Sequence, residues 1–255
     1  MLAAERRDLL LTRLRTDGKI VAKDLAAELG LSEDSIRRDL RELAAAGLCQ
    51  KVYGGAVPVS PALADYNGRT TVAPDSKHAV AAHAVTLVRP SSVVILDGGT
   101  TTLEVVRALP LDLECTVVTH SPTIAVELLN HPAVEVIMLG GRLFKHSAVT
   151  CGAAAVEAAA GISADIFLLG VTGVHPVHGL TTGDADEAAM KRALSRRAAE
   201  TYVLASAEKL GTASRYGVVA LSEVAGVVTD GAASDTADEL TAQGIPVLSG
   251  TGAER

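Results

Sequence analysis

The chain has 255 residues, room for a large domain and a small one, and is 48% hydrophobic but only 2% aromatic with no Trp, so its core is built from Ala, Val and Leu. The formal charge of −7 is unevenly spread: residues 1–57 hold 10 Lys and Arg against 9 Asp and Glu, and the remainder 13 against 21. An acidic body with a near-neutral, arginine-bearing head suits a protein whose head alone meets a polyanion. Three scattered cysteines argue against a disulfide framework, and the absence of a long uncharged apolar run argues against a membrane span. The charged N-terminus, from Glu5 to Asp8, lacks the apolar core of a signal peptide, so the expected location is the cytoplasm.

Residues 1–57 read as one small domain. Leu10 and Leu14 mark one face of a first helix that stops near Asp17-Gly18, and Lys23 to Leu29 reads as a short second helix. Gly30 sits where a left-handed residue closes a helix, and Ser32 is placed to cap a third. On that third helix Ile36, Leu40 and Leu43 recur at helical spacing and face the core, which leaves Ser35, Arg37, Arg38 and Arg41 on the other side. Helix, glycine-containing turn and helix with an arginine face is the helix-turn-helix layout. Gln50-Lys51-Val52-Tyr53-Gly54-Gly55 then suggests a small hairpin, a wing carrying Lys51 and Tyr53 beside the third helix. The competing reading is a plain helical hairpin with a solvated basic face.

Residues 58–74 contain three prolines and Asn67-Gly68 with few periodic apolar residues, and read as a linker or arm. Residues 75–255 alternate between helices and apolar strands. Helices are expected near 76–88, 101–109, 122–130, 153–160, 185–199 and 235–243, and strands at 93–96, 116–119, 134–139, 165–171, 202–205 and 247–248, with an apolar stretch at 218–228. Continuous apolar strands between helices indicate an α/β domain with a mainly parallel sheet covered on both faces.

Ligands in such sheets sit beyond the carboxyl ends of the strands, so those ends are read together. The first strand runs into Asp97-Gly98-Gly99-Thr100-Thr101-Thr102, a tight turn opening a helix, where free backbone N–H groups and the helix dipole favour an anion. Its glycines match no nucleotide-binding fingerprint, and the plain alternative is a strand-to-helix turn with a threonine cap. Other ends carry Thr119-His120-Ser121, Gly140-Gly141 and Gly170 to Gly173, and Gly179 to Glu187 leads into another helix. Together they make a polar cleft suited to a sugar phosphate. Several of these residues have plainer readings. Asp184 and Glu187 match a helix cap, Glu187 and Lys191 a surface ion pair, and Lys209 a solvated loop lysine. His175 and His178 near Asp184 read as loop residues and not as metal ligands.

These features together resemble the DeoR family of bacterial transcriptional regulators. The resemblance rests on Leu31-Ser32 through Leu40 and Gly54-Gly55-Ala56 in the head, and in the body on Asp97 to Thr101, Thr119 to Ser121, Gly140-Gly141, Gly179 to Thr182, Glu187, Lys191, Lys209 and Thr229-Asp230. It implies a winged helix-turn-helix on a sensor domain that looks like the ribose-phosphate isomerase and CoA-transferase folds, used for binding and without a cofactor. It further implies a regulator, most often a repressor, of carbohydrate catabolism or transport genes. Such a regulator binds double-stranded operator DNA, answers to a phosphorylated sugar and assembles as a homo-oligomer, dimer or tetramer. The Asp-Gly-Gly-Thr-Thr turn would hold the phosphate with help from Lys77, Asp97 would accept from sugar hydroxyls, and Glu187, Lys191 and Lys209 would close the sugar end. Three departures stand out: Gln50-Lys51-Val52-Tyr53 where the wing usually has an arginine and a histidine, His120 where asparagine is usual, and Glu208 beside the family lysine. The rival reading is a sugar-phosphate isomerase or CoA-transferase-like enzyme with an accessory N-terminal domain. A weaker one is an interaction protein whose head binds protein.

Overall fold

The computed structural model describes residues 3–249. The head consists of α1 (Ala3–Asp17), β1 (Ile20–Val21), α2 (Ala22–Leu29), α3 (Glu33–Ala45), β2 (Gln50–Val52) and β3 (Gly55–Val57). Leu10 and Leu14 of α1, Leu25 of α2 and Ile36, Leu40 and Leu43 of α3 form its core. Gly30 ends α2 at φ 63°, and the Ser32 side chain caps α3 by accepting from the Ser35 N–H at 3.2 Å. The wing is an antiparallel sheet with β3 between β1 and β2. Gly55 is required there, since a Cβ would lie 1.7 Å from the Ile20 carbonyl oxygen. The buried Arg6–Asp39 ion pair ties α1 to α3.

Residues 58–74 are an arm folded onto the body, not a free tether. They hold a short turn at Pro61–Leu63 and the one-turn α4 (Tyr66–Arg69). The Ser60 hydroxyl donates to the Thr172 carbonyl at 2.5 Å, the Tyr66 N–H donates to the His146 carbonyl at 2.7 Å, and Ala62 is buried.

The body continues with α5 (Pro74–Val85), β4 (Val93–Leu96), α6 (Thr100–Ala108), β5 (Cys115–Thr119), α7 (Pro122–Glu127) and β6 (Val134–Met138). A hairpin of β7 (Arg142–Phe144) and β8 (Val149–Cys151) follows, then α8 (Ala153–Ala159) and β9 (Ala164–Gly170). Next come β10 (Gly173–His175), β11 (Gly179–Thr182), α9 (Ala185–Ser195), β12 (Ala198–Leu204), β13 (Tyr216–Gly217), β14 (Gly226–Val228), α10 (Asp235–Ala242) and β15 (Val247–Leu248). Seven strands form one sheet in the order β15-β14-β12-β9-β4-β5-β6, and every pairing in it is parallel. Alternate residues of β4 serve opposite faces: Val94 and Leu96 pack with α5, α6 and α7, and Ile95 with α8, α9 and α10. The expected two-sided parallel sheet is therefore present.

Two antiparallel additions were not anticipated, the β7–β8 hairpin and the β10-β11-β13 sheet. Their strands are two to four residues long and glycine-flanked, too short to show a period. The helix expected at 185–199 stops at Ser195, because Ala198 already pairs with Ala164 across the sheet. Alanine favours helix, and tertiary pairing overrides it.

Candidate functional site

The turn after β4 is built on Asp97, which is fully buried and accepts four hydrogen bonds. They come from His120 Nε2 at 2.7 Å, Lys191 Nζ at 2.5 Å, and the backbone N–H groups of Gly98 and Gly170, each at 2.8 Å. Four bonds saturate a carboxylate. The expectation that Asp97 meets sugar hydroxyls is therefore corrected: the residue sits under the cleft floor and fastens the ends of β4 and β9 together. Burial alone would raise its pKa, but the neighbouring Lys191 and His120 hold it well below the usual carboxylate range. Both ring nitrogens of His120 face acceptors, Asp97 on one side and the Thr150 carbonyl at 2.7 Å on the other. His120 thus supports Asp97 and does not line the cleft.

Lys191 Nζ also lies 3.3 Å from Glu187, and all three side chains are at least nine-tenths buried, so the surface-pair reading of Glu187 and Lys191 is overturned. Burial opposes the charge on Lys191, yet Asp97 and Glu187 raise its pKa. Glu187 additionally accepts from Ser147 Oγ at 3.3 Å. Asp184 is the N-cap of α9, accepting from the Glu187 N–H at 3.0 Å, so its capping reading holds.

Above this floor a cleft is lined by Gly98 to Thr102, Lys191, Lys209, Glu187, Ser147 and Arg69. Thr100, Thr101 and Thr102 form the first turn of α6, whose N–H groups have no partner within the helix. Gly99 has φ 119° and no atom within 4 Å of an added Cβ, so a side chain there would enter the cleft. Gly98 is sealed instead, with Val149 at 2.1 Å from the place a Cβ would take. Lys209 is buried, not a solvated loop lysine, and donates to Thr101 Oγ1 at 2.9 Å and the Leu204 carbonyl at 3.1 Å. Burial pushes its pKa down to about 8. Lys77 donates to the Arg69 carbonyl at 2.6 Å, so it braces the arm beside the cleft.

Arg69 is the site residue that sequence reading missed. Among the described residues its Nε and Nη2 are buried in the cleft without a partner, as are Thr102 Oγ1 and Glu208 Oε2. Burial lowers the guanidinium pKa, and a buried donor left unmade is costly. Such a cluster of unclaimed polar atoms marks a place where a ligand completes the bonding. The only sequence cue was an arginine in a segment with no periodicity.

The other strand-end residues serve the scaffold. Thr119 Oγ1 accepts from the Ser121 N–H at 3.1 Å, and the Ser121 hydroxyl lies 2.9 Å from that of Thr123. Both are buried. Gly140 and Gly141 are exposed and lead into β7, outside the cleft. The ring of His175 accepts from the Val177 N–H at 3.1 Å, a turn-closing role.

On the head, Arg37, Arg38 and Arg41 all lie exposed on α3. Arg37 pairs with Glu33 at 2.6 Å, Arg41 donates to the Arg37 carbonyl at 3.2 Å, and Ser32 and Ser35 join through their hydroxyls at 2.9 Å. Lys51 is exposed on β2 and Tyr53 stands fully exposed at the wing tip.

A winged helix-turn-helix joined to an α/β domain whose cleft holds unpartnered polar groups is the layout of a transcriptional regulator with a sensor domain. The models for the DeoR-like helix-turn-helix domain and the DeoR C terminal sensor domain match residues 6–62 and 72–231, and the chain belongs to the DeoR family. It is 35% identical to the HTH-type transcriptional regulator GlpR of Haloferax volcanii over 98% of this chain and 99% of that one. It is 30% identical to a putative aga operon transcriptional repressor of Escherichia coli O157:H7, over 96% and 93% of the two chains. Among solved structures, ribose 5-phosphate isomerase A of Methanocaldococcus jannaschii aligns over 53% of this chain and 54% of that one, at 20% identity and a TM-score of 0.40.

Proposed function

We propose that the protein is a repressor of carbohydrate genes whose grip on operator DNA is changed by a phosphorylated sugar, bound in the cleft and not transformed. The observation that carries this is the unpartnered Arg69 guanidinium facing a helix start, with Lys209 beside it. A phosphate dianion is the guest that satisfies all of these donors. Asp97 cannot serve the isomerase alternative as its general base, because it has no lone pair left to give. Gly99→Asp, which aims a carboxylate into the cleft, is expected to abolish release from DNA by sugar phosphates while operator binding persists. A variant that still lets go at the wild-type effector concentration would refute the site, and turnover of the sugar would refute the sensor role.

For the head, Arg38 is the exposed α3 arginine with no partner among the described residues, whereas Arg37 must first leave Glu33. If Arg38 touches one phosphate, Arg38→Ala lowers the log–log salt slope of DNA binding by about 0.9. If it reads a base, the loss is ~1–3 kcal/mol at the preferred site alone. Wild-type binding at every salt concentration would exclude both roles.

One recognition helix reads little sequence, so we propose a homo-oligomer that presents paired heads to half-sites about 10 base pairs apart or a multiple of that. The exposed apolar Ile137 and Met138 on the edge strand β6, with Val126 and Leu129 near them in the chain, offer surface for it. Light scattering is expected to show at least a dimer at micromolar concentration, and a monomer there would count against this.

A further inference from the structure

The cleft over Gly98 to Thr102 has a cavity volume of about 20 Å³, room for little more than one water. It takes a phosphate only by widening around it, and has no space for the sugar. Arg69, Ala62, Ser147, Thr172 and Glu187 also line a second cavity of about 490 Å³, so the two spaces share a wall. That volume lies within the ordinary range for small-molecule sites. Its far side is formed by the head: Ala44 at the end of α3, Gly47, Cys49 and Gln50 of β2. The remaining walls carry Asp184, Ser214 and Arg215, and Ser214 Oγ is buried without a partner.

We propose that the carbon chain of the sugar phosphate lies in this chamber, so that the effector touches the head directly and Gln50 is one of its contacts. This rests on the reading of the cleft as a phosphate site. Among the described residues, the direct polar contact between head and body is the Lys19–Glu239 pair at 3.7 Å, with both side chains about half exposed. Such a pair holds little. A ligand seated between α3, β2 and the sensor therefore gains contacts in the docked arrangement that it lacks in any other. That difference is what lets it shift the equilibrium. By linkage, DNA that requires another head placement weakens effector binding by the same factor. Hydroxyl acceptors and donors of a sugar match Gln50, Ser214 and Arg215, which line the chamber and not the cleft, so inorganic phosphate seated at the turn does not reach them.

The test uses the full chain and four probes: inorganic phosphate, ribose 5-phosphate, glucose 6-phosphate and fructose 6-phosphate. In hydrogen exchange, at least one sugar phosphate is expected to protect both the 98–102 turn and the strand at Gln50–Val52, and inorganic phosphate only the turn. Gln50→Trp, which fills the chamber from the head side, is expected to weaken that sugar phosphate on the order of tenfold or more and leave inorganic phosphate unchanged. Protection confined to the turn with every sugar phosphate would overturn the chamber, as would a Gln50→Trp chain that binds sugar phosphate like wild type. No binding of any probe at the turn would instead overturn the phosphate reading, and this inference with it. The exchange measurement on wild type stands even if the substituted chain fails to fold.

Discussion

Replacing Lys191 by Ala is expected to destabilise the folded chain by about 3–5 kcal/mol at neutral pH, the cost of stranding a buried partner charge. Lys191 is the cationic partner shared by two carboxylates in the body's interior, Asp97 at 2.5 Å and Glu187 at 3.3 Å. Without it Asp97 keeps its bonds to His120 and to the Gly98 and Gly170 N–H groups but loses the lysine charge. The pH dependence follows from the two shifts. Asp97 has a depressed folded pKa, so its contribution is complete above its unfolded value, about 4, and fades as pH falls through the folded value. Lys191 has a raised folded pKa, so its contribution is complete below the ordinary lysine value and is lost as pH rises through the folded value. The network therefore supports the fold across the neutral range. The gap between wild type and variant in urea denaturation should be widest there and narrow in strong acid. Lys191→Met combined with Asp97→Asn should recover part of the loss, because an apolar group then faces a neutral one. A single-variant change within about 0.5 kcal/mol, the size of an exposed substitution, would mean that the network is not closed as described.

What the sequence disclosed about this molecule depended on range. The strand at Val93–Leu96 and the cap at Ser32 were readable in place because both signals are local: a bounded apolar run, and a hydroxyl two residues past a left-handed glycine. The parallel sheet followed from the alternation of strands and helices. The chemistry of the site was less accessible. Thr101 and Lys209, 108 residues apart, share a hydrogen bond, and nothing in either segment announces it. Asp97 follows the apolar run of β4 as expected, but its four partners come from residues as distant as Lys191, and no local signal shows that they saturate it beneath the cleft. Gly140-Gly141 looked like another cleft turn and proved to start a hairpin, because a glycine pair marks a change of direction and not what the turn faces. Arg69 was hidden by the composition around it. A stretch with three prolines, Asn67-Gly68 and few periodic apolar residues reads as a linker, and only packing shows that its last helical residue turns inward.

Arg69→Ala should uncouple the sensor while leaving the head competent. The guanidinium offers two unclaimed buried N–H groups, suited to two oxygens of one phosphate. Removing one partner of a buried, hydrogen-bonded charge pair typically costs at least about 2 kcal/mol, roughly thirtyfold in affinity. Effector binding by calorimetry should weaken by at least that factor, and operator affinity without effector should stay at the wild-type value. Arg69→Lys should not restore the response in full, because an ammonium is a point charge and lacks the planar fork. Lys209 adds a pH signature of its own, set first by burial and also by the nearby Arg69 charge. With its pKa near 8 in the free protein, it is largely charged below that value and largely neutral above it. A phosphate dianion favours the charged form, so binding above pH 8 must take up a proton, and affinity should fall there by up to about tenfold per pH unit. Burial of the charged amine also weakens the effector-free fold below its folded pKa, and a bound dianion relieves that penalty. Calorimetry in two buffers of different ionisation heat would show the proton uptake in wild type and in Arg69→Ala, and would lose it in Lys209→Met. Wild-type affinity in Arg69→Ala would place the arm outside the site, and a flat pH profile in wild type would remove Lys209 from contact with the phosphate.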